Sequence, residues 1–246
     1  HVDNRWIFRA RPNDSYAVRV IADYGLNDLK LGKWAIVHST DAYGAGGSKA
    51  LIEALKSFGV QPVLVQSYTP NSADFSAAIL AVKNSGADIL CTYMTPGADI
   101  AIFATQLKQL GSKVTWIGSS SIMALASLKL AGETLWGTYA VSDFAPDADE
   151  VTRDFSRRYR ERYGFDPDIP TAWSYDALQL LAIAMRNANS TEPEAIRSAL
   201  LAIRGYRGLE GVYEFDTHGD GLHGYNVLRN EGGKMVFIKR VDFPAR

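Results

Sequence analysis

Chemistry in this chain concentrates in four short stretches, His38–Tyr43, Gln66–Thr69, Thr92–Pro96 and Gly118–Ser121, each placed directly after an apolar run. Their side chains are mostly hydroxyls and aromatic rings (Ser39, Thr40, Tyr43, Tyr68, Tyr93, Thr95, Ser119, Ser120, Ser121), with Asp41 the one carboxylate. Such groups donate and accept hydrogen bonds without forming an activated nucleophile and base. The inventory fits reversible capture of a small polar molecule better than bond making. Tyr43, Tyr93, Met94, Thr95, Ser119 and Ser120 are therefore the expected ligand contacts in this region. Tyr43 is expected as a wall because it follows a strand and opens a helix, whereas Ser121 reads as a helix cap and Trp116 as core.

Catalytic and cofactor motifs fail when tested one by one. Gly44, Gly46 and Gly47 approach a dinucleotide fingerprint, but glycine is needed at the position of Lys49 and no acid closes the second strand. Gly46-Gly47-Ser48-Lys49 lacks the frame of a phosphate loop, and no Gly-x-Ser-x-Gly elbow occurs. His1, His38, His218 and His223 show no metal-ligand spacing. The run Asp216–Asp220 lacks the later glutamate of a calcium loop and reads as a tight turn. Cys91 is the single cysteine and sits in an apolar run, which excludes an intrachain disulfide and predicts a buried, inert thiol. The expectation is a protein that is not an enzyme and uses no cofactor and no metal.

The elements that must position these loops follow from periodicity. Val18, Ile21, Ala22 and Leu26 form a helical stripe over 15–30, with Asp14 and Ser15 as capping residues. Four apolar strands follow, at Trp34–Val37, Pro62–Val65, Ile89–Cys91 and Val114–Ile117. Helices marked by Leu51 to Phe58, Phe75 to Val82 and Ile100 to Leu110 separate them. Strands separated by single helices run parallel, and strands buried on both faces read as continuous apolar runs. The pattern predicts a doubly wound α/β sheet, whose ligands lie beyond the carboxyl ends of the strands.

After Val141 the rhythm changes. Helices are expected over 149–163, 171–187 and 192–202, followed by strands at Val212–Phe215, Tyr225–Leu228 and Met235–Ile238 with a Glu231-Gly232-Gly233 hairpin turn. Three successive helices cannot all cover the first sheet, so they imply a second lobe. Composition agrees with a folded, soluble-type chain of one or two domains: 246 residues, 47% hydrophobic, 22% charged. A net charge of −1 without a basic block argues against nucleic acid. Arg157 to Arg162 alternates with an acid and a tyrosine and reads as a solvated helix face. The sequence begins with His1 rather than Met, so a processed or trimmed start is expected.

Several blocks resemble one family. Trp34–Gly47 resembles the strand-loop-helix of leucine/isoleucine/valine-type binding proteins, where Tyr-Gly opens the helix. Ser72-Ala73-Asp74-Phe75 with Gly86-Ala87-Asp88-Ile89, then Trp173-Ser174-Tyr175-Asp176-Ala177, then Phe215-Asp216 and Gly219-Asp220 with the closing hairpin, look like further marks of that family in order. The resemblance covers essentially the whole chain. It implies a type I periplasmic solute-binding protein: two doubly wound parallel-sheet lobes joined by hinge crossings, with the first lobe incomplete in this chain. Mapped here, 1–14 is a hinge strand leading in, 15–141 the second lobe, 142–211 the helical part of the first lobe, and 212–246 the hinge return and C-terminal hairpin. Tyr175 matches the family's pocket tyrosine, and Trp173 beside it is expected to pack.

The implied function is the extracytoplasmic substrate-binding component of an ABC importer, located in the periplasm or on the extracytoplasmic face. It would bind a branched-chain amino acid or related small polar ligand and hand it to a membrane permease. Family members carry a further stretch before this point, so the helices of the first lobe are expected to leave an apolar face, open to self-association. Amino-acid binders of the family place an acid just after the fourth strand to hold the ligand's ammonium, and that position falls on Ser120. An ammonium buried without a counter-charge is costly. Aromatic or short aliphatic carboxylates or amides are therefore the alternative ligands. A ligand-sensing domain of a receptor or regulator is the alternative role.

Overall fold

The computed structural model describes residues 4–244. The chain divides into two compact units, one formed by 1–16, 143–226 and 239–246 and the other by 17–142 and 227–238. They are called unit 1 and unit 2 below.

Unit 2 is built around a seven-stranded sheet in the order β2-β1-β3-β4-β5-β8-β9. Its strands are β1 (Trp34–Ser39), β2 (Leu64–Tyr68), β3 (Ile89–Tyr93), β4 (Thr115–Gly118), β5 (Tyr139–Ser142), β8 (Gly224–Glu231) and β9 (Lys234–Asp242), the last two running on into unit 1. The pairs β1·β2, β1·β3, β3·β4 and β4·β5 are all parallel. Helix α1 (Asp14–Asp23) leads into β1, and helices α2 (Ala42–Ser57), α3 (Ser76–Asn84), α4 (Gly97–Gln109) and α5 (Leu125–Ala131) connect β1 to β5 in turn. The strands β1 and β3 are buried almost end to end because helices cover both faces of the sheet. An edge-to-face chain of rings, Phe75 to Phe103 at 5.6 Å and Phe103 to Trp116 at 5.4 Å, fills one of those layers. Trp116 is core as expected, and its indole N–H donates to Thr92 Oγ1 at 2.9 Å.

Chain order places the topological switch between β1 and β3, since the chain passes from β1 to β2 on one side and then crosses back to β3 on the other. Ligand crevices in open α/β sheets form at such a point, outside the carboxyl ends of the strands.

Unit 1 holds α6 (Glu150–Tyr163), α7 (Ile169–Ala188) and α8 (Pro193–Leu201), with the antiparallel pair β6 (Arg204–Arg207) and β7 (Val212–Glu214). Asp149 and Thr152 make a capping box at the start of α6, and Gly164 ends it in the left-handed conformation at φ 80°. Asp168 caps α7, whose first turn carries Pro170. Leu180, Ala184, Leu200, Tyr213 and Phe215 form the core between these helices and the ladder. The opposite stripe of α7, Tyr175, Leu178, Leu181 and Met185, is exposed, as is Tyr163 at the end of α6. An uncovered apolar face on these helices was the expectation from the further stretch that the resembled family carries before this point.

Several expectations need correction. The second strand is not a continuous apolar run at Pro62–Val65 but Leu64–Tyr68, alternately exposed and half-buried, because it lies at the sheet edge. The first helix stops at Asp23 and continues as a wider π turn, Tyr24–Asp28. Strands β5 and β6 and helix α5 were not foreseen. No strand occupies the described part of 1–14, where Arg9 makes a single bridge to Asp220, and residues 1–3 lie outside the described residues. The stretch 212–246 is not one segment: 212–226 belongs to unit 1 and 227–238 to unit 2, while residues 245–246 lie outside the described residues. The β6·β7 ladder is the one sheet lying wholly within the described residues of unit 1, in keeping with a first lobe expected to be incomplete.

Candidate functional site

At the switch point, residues of β1, β3 and the following loops interlock. Ser39 is fully buried, and its Oγ lies 3.4 Å from both the Tyr93 carbonyl oxygen and Thr95 Oγ1. Asp41 caps α2 by accepting from the Gly44 backbone N–H at 2.8 Å. Burial opposes ionisation of this carboxyl, but donors from Gly44, Thr95, Ser39 and Tyr43 hold it below the usual carboxylate range. Two glycines permit the close approach. A Cβ at Gly44 would meet the Ser39 carbonyl at 2.2 Å, and one at Gly47 would meet the Tyr93 ring at 2.1 Å.

That packing sorts the expected contacts. Tyr43 is half-buried and rests against the Tyr93 ring, with centroids 5.7 Å apart. Tyr93 is buried, so its ring backs Tyr43 instead of facing outward. Met94 is wholly inside the hydrophobic core and is a packing residue. Thr95 is exposed and Ser120 half-buried. Ser119 is buried with its Oγ 2.9 Å from Ser121 Oγ, while the Ser121 carbonyl accepts from Ser127. Ser121 thus stands inside the turn Ser120–Met123 that follows β4, where Ser119 is the cap residue. Tyr175 lies in unit 1, exposed on α7, with its ring 4.9 Å from Phe155 of α6. The second carboxylate near this edge, Asp99, is buried in the first turn of α4 and accepts from the Asn71 N–H at 2.9 Å. Burial and the Asp99 charge push the Tyr68 phenol well above its ordinary value.

Unit 1 carries a polar network that sequence reasoning missed. Asp143 is fully buried, and its Oδ2 accepts from Arg11 Nε at 2.6 Å and from Trp173 Nε1 at 2.9 Å. The Arg11 guanidinium also lies over the Trp173 ring at 3.7 Å. Trp173 was expected to pack, and here it also donates a hydrogen bond. Asp176, likewise fully buried, accepts from the Leu209 and Glu210 N–H groups and from the Tyr213 hydroxyl, each at 3.0 Å. Arg240 donates to the Glu210 carbonyl at 2.7 Å, and Asn226 to the Asp143 carbonyl at 2.6 Å. Burial, then the neighbouring Asp143 and Asp176 charges, push the Glu210 carboxyl up to about 10. The only local signal for this cluster was Asp176 in the Trp-Ser-Tyr-Asp-Ala run, because isolated acids and arginines carry no periodicity.

The parallel order β2-β1-β3-β4-β5, extended by β8 and β9 and accompanied by a second, helical unit, defines the type I periplasmic-binding-protein class of fold. A family model described as Periplasmic binding protein matches residues 2–234, and the chain belongs to that family. A curated relative, Leu/Ile/Val-binding protein homolog 1 of Brucella abortus, is 27% identical over 92% of this chain and 61% of its own length. The chain thus spans about three-fifths of the length of such relatives. A leucine binding protein, LivK, from Thermotoga maritima superposes over 98% of this chain and 69% of its own with a TM-score of 0.88 at 22% identity. A solute binding protein of R. palustris in complex with benzoate gives 0.84 at 16% identity, over 97% of this chain and 67% of its own.

The buried carboxyl makes a pH prediction. A carboxyl raised from an ordinary 4.5 to about 10 keeps its proton in the folded protein where the unfolded chain has lost it. The folded state binds the extra proton across that window, so stability is greatest at its lower end and falls as pH rises. Urea midpoints of the wild type should drop between about pH 6 and about pH 9, and Glu210→Gln should flatten that slope. Parallel pH profiles for the two proteins would contradict the assignment.

Proposed function

We propose that this chain is the ligand-binding part of the extracytoplasmic substrate-binding component of an ABC importer, capturing a branched-chain amino acid or a related small polar ligand. One observation carries the reading: at the topological switch of unit 2, buried Ser39 and Tyr93 brace an outward set of Tyr43, Thr95 and Ser120. The names of the relatives, Leu/Ile/Val-binding and leucine binding proteins, support the ligand class. A membrane permease is the partner this role requires, and the periplasm or extracytoplasmic face is its place. Tyr175 in unit 1 is proposed as a further contact. The network at the site has hydrogen-bond donors and acceptors but no nucleophile-base pair, which suits binding without turnover.

A second ligand class is favoured by one specific feature. Asp41 and Asp99, the carboxylates at this edge of unit 2, both accept backbone N–H groups, and Ser120 stands beyond β4. An ammonium desolvated there would have to share a carboxylate that already holds a backbone N–H, since Ser120 brings no charge of its own. Carboxylates without an amino group, such as aromatic or short aliphatic acids, fit this edge better than α-amino acids.

The test is thermal unfolding with leucine, isoleucine, valine, isovalerate, benzoate and benzamide. A ligand at ~100 times its dissociation constant adds about 2.7 kcal/mol of stability. Stabilisation by a branched amino acid or a carboxylate supports the binding role and chooses between the classes; none with any compound contradicts it. Tyr43→Ala should weaken whichever ligand binds about tenfold, some 1.4 kcal/mol, with the unfolding midpoint of the free protein little changed. Tyr175→Ala examines unit 1 in the same way. Unchanged affinity in both variants would remove the proposed contacts.

A further inference from the structure

Arg11 is held in a way that a purely structural ion pair does not require. Its Nε is engaged with Asp143 Oδ2 at 2.6 Å, and its flat face is stacked on Trp173 at 3.7 Å. These two contacts fix both the plane and the rotation of the guanidinium. The remaining edge, Nη1 and Nη2, takes no hydrogen bond among the described residues, and about a third of the side chain (35%) is exposed. Arginine presents five donors in a fixed fork, and a carboxylate meets two of them in parallel. A guanidinium locked by one carboxylate and one ring therefore has one bidentate face left to offer.

The surroundings favour an anion on that face. Arg11 lines a cleft of 430 Å³ along residues 8–14, together with the second cation Arg9. Volumes of roughly 300–1,000 Å³ are usual for small-molecule sites. Arg9 donates to Asp220 at 2.9 Å, and Asp14, the one acid lining the cleft, lies 3.4 Å from the Tyr225 hydroxyl. The Asp143 charge that opposes Arg11 is shared, because Oδ2 also accepts the Trp173 indole N–H. Burial lowers the guanidinium's affinity for its proton, but Asp143 more than compensates, so Arg11 remains a permanent cation.

We propose that the Nη edge of Arg11 receives a ligand carboxylate in the cleft along residues 8–14 of unit 1, making Arg11 a specificity-determining residue there for carboxylates over amides. The proposal rests on the binding role argued above, and it holds for an amino acid and for a simple acid alike, since both carry that group. Asp143 and Trp173 are the positioning residues. Lysine in place of Arg11 would keep the charge but lose the planar, two-point match.

The test follows the Arg11 Nε–Hε signal of the whole chain by NMR, assigned with Arg11→Lys, during titration with leucine, isovalerate, benzoate and benzamide. At least one carboxylate should shift the signal saturably, and benzamide should not. Calorimetry with the same compound should show Arg11→Lys weakened at least tenfold. Arg11→Gln, which also strips Asp143 of its charged partner, serves only if it unfolds as cooperatively as the wild type. A carboxylate that stabilises the protein thermally while the Arg11 signal stays still would overturn the inference and leave the binding role standing. Equal affinity in wild type and Arg11→Lys would overturn it too. A silent signal with no thermal stabilisation by any compound would end both.

Discussion

Burying Asp143 constrains the organisation of unit 1. A carboxylate with no exposure to water is costly unless it is paired and hydrogen-bonded. Here the charge of Arg11 and the indole N–H of Trp173 meet on one of its oxygens, while the Asn226 amide holds its backbone carbonyl. These partners come from three separate stretches of unit 1, the segment before α1, helix α7 and the first residues of β8, and meet on Asp143 just after β5. The chain passes from one unit to the other at 16/17, 142/143, 226/227 and 238/239, and Asp143, Asn226 and Arg240 stand at or next to three of those points. One polar network within unit 1 thus gathers residues from next to those points in the sequence.

The same constraint explains why Glu210 is kept as an acid. A second full negative charge beside Asp143 and Asp176, away from water, would add repulsion to desolvation, so the proton stays on. Asp176 escapes part of that penalty through three donors, although burial still leaves its carboxyl raised. The Tyr213 hydroxyl lies between the two acids and 2.9 Å from the Ala10 carbonyl oxygen, sharing its one proton among these acceptors, which brings the segment before α1 against the β6·β7 ladder. Stability of the folded chain and the geometry offered to a ligand by Arg11 therefore draw on the same few side chains.

Unit 2 was largely legible in the sequence because its determinants are local. Apolar runs such as Trp34–Val37 and the helical stripe Leu51, Leu55, Phe58 report burial directly, and alternation of the two forces parallel pairing. The edge position of β2 was not legible, since which strand lies outermost depends on chain order in space. Strand β5 was hidden because Ala140 and Val141 are its only aliphatic residues. The loops at the carboxyl edge were found from strand order alone, yet their sorting was not. Tyr93 and Met94 sit in the strand end as plausibly as Thr95 does, and only three-dimensional packing on Gly47 and the core separates wall from support. The network of Arg11, Asp143, Asp176 and Glu210 left almost no trace, because it joins residues up to about 200 positions apart by charge instead of by periodicity.

Two surfaces compete as places for a ligand in unit 2. One is the carboxyl edge of the strands, and the other is the cleft of 550 Å³ at their opposite end beside Trp136, Lys108 and Arg229. Hydrogen exchange measured with and without leucine or benzoate separates them most directly. The account predicts slowed exchange in the loops 39–44, 93–99 and 118–123, with the Trp136 region unchanged. Protection confined to 107–116 and 133–139, with the carboxyl-edge loops unaffected, would contradict it.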